Sequence, residues 1–178
     1  MNGEHPIRRF FAEALHDSMR VQLGLRHEDV EEYLCDLLMH FLHDDDIYGI
    51  RDASGRRIDS VVDMVVEGDV RLNADSFGRE REVHKHIGDF LLFWSGVFPE
   101  FLKQIRSPAG KDALLDPIGQ GRLSYYVAST FDYGDYAHEA PVLRKLSGEF
   151  EAYMVGLSLM RAQFQGLQVR GWVDGFDA

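Results

Sequence analysis

Apolar residues recur along most of this chain at helical rather than alternating spacing. Ile7, Phe10, Phe11, Ala14, Leu15 and Val21 share one stripe, which predicts a first helix over residues 6–23. Pro6 suits its first turn, and Gly24 offers a stop. A second helix is predicted over 28–44. Its first turn is acidic, as the helix dipole favours, and Val30, Tyr33, Leu34, Leu37, Leu38, Phe41 and Leu42 form its core face. Residues 47–59 break the pattern, and the turn-forming Asp52-Ala53-Ser54-Gly55 there suits a small β-hairpin. Ser60 with Asp63 reads as a capping box opening a short third helix to about Glu67. A fourth helix over 76–95, capped by Asn73 or Asp75, puts Val83, Ile87, Phe90, Leu91 and Trp94 inward, with Gly96 and Pro99 as breakers. A short helix follows over 99–106, then a surface loop over 107–111. A fifth helix spans 117–131. A sixth, strongly amphipathic one runs unbroken from Glu139 or Pro141 to Phe164.

The expected fold is therefore mainly α: a single-domain bundle of five to seven helices over 1–167, with one small β-hairpin and a loosely attached tail over 168–178. A chain of 178 residues, 45% of them hydrophobic, can fill such a core without metal or disulfide staples.

Charge narrows the partners. The net charge of −11 disfavours nucleic acid, whose non-specific binding depends on Lys and Arg neutralising phosphates, and disfavours anionic membrane surfaces. No apolar run reaches the ~20 residues of a membrane span. The lone Cys35 cannot form an internal disulfide and reads as a buried thiol, in keeping with a cytoplasmic setting.

Three strings stand out: Arg-Glu-Val-His-Lys-His-Ile-Gly-Asp-Phe at 81–90, Phe-Trp-Ser-Gly-Val-Phe-Pro-Glu at 93–100 and Ser-Tyr-Tyr-Val-Ala-Ser at 124–129. They resemble an uncharacterised family of predicted bacterial helical proteins. The likeness implies a helical fold over most of the chain. The family has no known activity, so no functional residue carries over.

Three constellations could carry chemistry. On the fourth helix, Glu82, His86 and Asp89 fall in one narrow sector, a row that could ligate a metal or hold His86 against a carboxylate. His84, two residues from His86, points away. On the second helix, Asp36, His40, His43 and Asp44 share a polar sector. His40, His43 and Asp44 are candidate metal ligands, with an acidic run at a helix end that the dipole disfavours. On the fifth, Gly119-Gln120-Gly121-Arg122 could hold an anion with help from Arg122, and Tyr126, Ser129, Thr130 and Tyr133 offer a row of hydroxyls. Glu13 and His16 form the chain's single Glu-x-x-His pair, so a di-iron site lacks its second half.

No cofactor is implied by these motifs. The chain reads as a non-enzymatic helical domain that binds a partner or a small ligand or self-associates as a homodimer. A metal-dependent enzyme built on either His/carboxylate row is the alternative.

Overall fold

A computed structural model describes residues 5–41, 60–68, 76–100 and 115–165. Seven α-helices occupy them, and no strand occurs among the described residues. Helix α1 is Pro6–His16 and runs into a π-helical stretch, Asp17–Gln22. Then come α2 (Glu28–Phe41), α3 (Val61–Gly68), α4 (Phe77–Val97), α5 (Pro117–Ser129), α6 (Ala140–Gly148) and α7 (Phe150–Gln165). The mainly helical expectation holds. The hairpin over 47–59, the helix and loop over 99–111, and the tail over 168–178 fall wholly or mostly outside the described residues.

Helix α4 is the axis of the bundle: α3, α5 and α7 all pack on it, while α1 and α2 pair with each other, α1 leaning on α7 and α2 on α6. Several local signals act as expected. Pro6 and Pro117 open their helices, and Ser60 accepts from the Asp63 amide at 3.4 Å as α3 begins. Cys35 is buried, its thiol donating to the Arg8 carbonyl.

Four local expectations change. The chain after His16 widens into i→i+5 turns, which shifts the stripe's phase: Met19 is buried, whereas Val21 points to solvent. The cap of α4 is Ser76, whose hydroxyl accepts from the Arg79 amide at 3.1 Å. Gly96 does not break α4, which continues to Val97. Its missing side chain lets α7 approach, since a Cβ there would sit 2.7 Å from Leu157 Cβ. The long sixth helix is two helices, parted at Glu149 (φ −116°, ψ 29°). Val142, Leu143, Leu146, Phe150, Tyr153, Leu157 and Met160 are all buried, so the hydrophobic pattern runs through the break without a mark.

Candidate functional site: a polar cleft between α2 and α4

The rotation of α4 is set by Val83, Ile87, Phe90 and Leu91, all buried at 1% exposure or less. That choice leaves Glu82, Lys85, His86 and Asp89 on the flank turned toward α2. On α2, burial of Val30, Leu34, Leu38 and Phe41 likewise leaves Tyr33, Asp36 and His40 facing α4. The two helices touch through polar and aromatic side chains. Near the start of α2, the Tyr33 hydroxyl donates to Asp89 Oδ1 at 2.6 Å; at its end, the rings of Phe41 and Phe93 lie 4.8 Å apart. Beside these contacts, toward the start of α4, opens a cleft of about 500 Å³. Tyr33, Asp36, Leu37, His40 and Phe41 form one wall, and Arg81, Glu82, Lys85, His86 and Asp89 the other. Glu139, just before α6, closes the end.

The cleft joins two constellations that are separate in sequence. Glu82, His86 and Asp89 all border it, and so does His40. His43 and Asp44 lie outside the described residues. His84 is buried and does not line the cleft.

Asp89 is the centre of the polar network. Its Oδ1 accepts from Tyr33 and, at 2.8 Å, from Tyr125 on α5, while Lys85 Nζ stands 3.9 Å from Oδ2. The hydrogen bonds of Asp89 come from Tyr33 and Tyr125, so these phenols take the place in its network that the shared sector suggested for His86. Tyr125 reaches Asp89 because residue 88 is glycine: a Cβ there would sit 2.7–2.8 Å from the tyrosine ring. Lys85 also contacts Glu139 at 3.3 Å and lies 5.1 Å over the Tyr33 ring. Arg81 donates to Glu139, and its guanidinium lies 4.1 Å over Tyr136.

Burial raises the Asp89 carboxyl above its ordinary pKa. Lys85 and the two phenol hydrogen bonds oppose that rise, and the charge of Glu139 adds to it. Tyr33 and Tyr125 are pushed well above the ordinary phenol value, first by burial and then by the Asp89 charge, which keeps both hydroxyls as donors. With Oδ1 holding two phenols, Oδ2 is the oxygen left to meet a further donor.

The third constellation lies elsewhere. Arg122 Nε donates to the Ser147 carbonyl at 3.2 Å, and Ser147 Oγ returns a bond to the Arg122 carbonyl, tying α5 to α6. The Asp116 carboxylate fills the space over Gly119 and so faces the helix start with negative charge. Ser129 and Thr130 turn their hydroxyls back onto the carbonyls of Tyr126 and Val127. Tyr126 and Tyr133 are 56% and 59% exposed, and Tyr133 lies past the end of α5, its ring 6.4 Å from that of Tyr136.

Among the described residues, no three His, Cys, Asp or Glu side chains gather closely enough to hold a metal ion. None of their helices is long and apolar enough to cross a membrane. No family model, curated protein or solved structure matches the chain.

The sequence reading missed Arg81, Lys85, Tyr125 and Glu139, and counted Tyr33 simply as core. The available signal was a tyrosine at a core position. A buried phenol needs a hydrogen-bond partner, and Asp89 on a helix flank is a natural acceptor.

Proposed function

We propose that the chain is a non-enzymatic helical domain that binds a small ligand in the cleft between α2 and α4. The observation that carries this is the convergence of charged and aromatic side chains from two helices on one cavity of about 500 Å³. Small-molecule sites are typically ~300–1,000 Å³, with apolar walls and a few directed polar groups. Leu37, Phe41 and Tyr33 supply the apolar part here, and Asp89 Oδ2 the directed acceptor. A reducing, cytoplasmic setting goes with this reading, since the one cysteine, Cys35, is buried with its thiol on the Arg8 carbonyl.

The test is a fragment set screened by ligand-observed NMR against the parent and against Glu82→Trp. Glu82 is exposed at the rim, so an indole there blocks the mouth without entering the core. Hits lost in Glu82→Trp support the cleft; hits equally strong in both proteins contradict it.

A metal-dependent enzyme is the second reading. Asp36 and His40 on α2, and Glu82 and His86 on α4, are each one turn apart and border the same cleft. Stoichiometric zinc, iron or manganese that survives dialysis, and is lost in His86→Ala, would favour it. Homodimer formation is compatible with either reading. It is favoured by the exposed Leu123, Tyr126 and Tyr133 around α5, and light scattering of Tyr126→Asp tests it.

A further inference from the structure

Counting which charges in the cleft already have partners gives its preference. Arg81 and Lys85 both contact Glu139, and Asp36 is paired with Arg8. Each cation on the wall is thus committed to a carboxylate. Arg81 Nε has no hydrogen-bond partner among the described residues, yet it is fully buried and out of a ligand's reach. Of the remaining carboxylates, Glu82 has no cation among the described residues and Asp89 has a shared one. Glu82 forms no ion pair among the described residues. Asp89 accepts from two neutral phenols and shares the cation Lys85 with Glu139, the ammonium lying 3.9 Å from Oδ2 and 3.3 Å from Glu139. An anionic ligand would have to pull Arg81 or Lys85 from Glu139, whereas a cationic one meets Glu82, which is open, and Asp89 Oδ2, which has a cation only at 3.9 Å.

The spacing of the two carboxylates adds a length. Glu82 and Asp89 are seven residues apart on one helix, two turns, or about 10 Å along the axis. Ammonium–carboxylate contacts of about 2.8 Å at each end leave roughly 5–10 Å between two cationic nitrogens. Between them, Leu37, Phe41 and the edge of the Tyr33 ring offer cover for methylenes. The net charge of −11 draws cations toward the protein as a whole.

We infer that the cleft takes a short linear aliphatic diamine or polyamine, one ammonium on Asp89 Oδ2 and another on Glu82. This rests on the small-ligand reading above and specifies its ligand class.

The experiment is isothermal titration calorimetry of the full chain at low and moderate salt with four probes: 1,4-diaminobutane, spermidine, butylamine and succinate. Diamine and triamine should bind at least about tenfold more tightly than butylamine, since the second ammonium adds a charge-assisted contact. Glu82→Gln should reduce the diamines to about the affinity of butylamine, removing the gap between them. Asp89→Asn, with its fold checked by circular dichroism, should weaken all three amines. Amine binding that is indifferent to Glu82→Gln is general attraction to an acidic surface and overturns the inference. Succinate binding that is lost in Glu82→Trp, with no amine binding, overturns the ligand class and keeps the cleft as a site. If no probe binds and no fragment signal depends on Glu82→Trp, the cleft reading falls as well.

Discussion

The two halves of α4 share a backbone and differ in what surrounds them. From Phe90 to Val97 every side chain is buried, with Phe90, Phe93, Trp94 and Phe98 stacked at ring distances of 5.3–6.2 Å and α7 crossing at Gly96. From Glu80 to Asp89 the helix is buried on one side and carries ionisable groups on the other. The first half is close-packed, so its free energy comes from apolar area and depends on fit. The second holds charges away from water, so each needs a partner, and the partners come from α2, α5 and the turn before α6. A helix that is dry at one end and polar at the other can anchor a bundle and still offer a binding face.

The contrast can be broken most forcefully in the dry half. Phe93→Ala should cost about 3–5 kcal/mol in urea denaturation, because the ring is fully buried and its aromatic neighbours cannot collapse onto the space. A loss below about 1 kcal/mol would mean that this half is not packed as described.

At the seam between the halves, Gly88→Ala should cost about 2–3 kcal/mol, since the new methyl meets the Tyr125 ring and must displace it from Asp89. Restored stability in Gly88→Ala combined with Tyr125→Leu would tie the cost to that one contact.

In the polar half, Tyr33→Phe should cost roughly 1–2 kcal/mol by removing one donor to a largely buried carboxyl. The companion experiment is pH dependence. Folding raises the Asp89 carboxyl above its ordinary 3.8, so its contribution is fully present below that value and is lost as pH rises through the folded value. Asp89→Asn has no such proton to lose. Its stability relative to the parent should therefore shift in the variant's favour from pH 3 to neutrality. A difference that is flat with pH, or that moves the other way, contradicts the burial of Asp89.

The smallest effect belongs to the rim. Glu82→Ala should change stability by no more than about 0.5 kcal/mol, because the side chain is exposed and forms no ion pair among the described residues. A larger loss would reveal a structural role.

These differences also decide what the sequence could reveal. Helix positions that face one neighbour were legible: the rotation of the polar half of α4 follows from Val83 and Ile87, and Glu82, His86 and Asp89 fall on one flank as their spacing requires. The dry half was less so. Leu92, Phe93 and Val97 are buried because α4 has neighbours all round, which single-face periodicity does not express. The break at Glu149 was hidden because both flanking helices bury the same side. The cleft was half legible. Its two His/carboxylate rows could be read on their own helices, but their joining is a tertiary contact. Tyr33 and Asp89 are separated by 56 residues and Arg81 and Glu139 by 58, beyond any local pattern.

The most direct test of a binding half beside a structural half is a backbone-amide NMR titration with 1,4-diaminobutane. The account predicts saturable shifts confined to residues 33–41 and 81–89 and to Tyr125 and Glu139 beside them, with residues 90–97 unmoved and the shifts abolished by Glu82→Trp. Shifts scattered over acidic positions of the whole surface, or none at millimolar ligand, would contradict it.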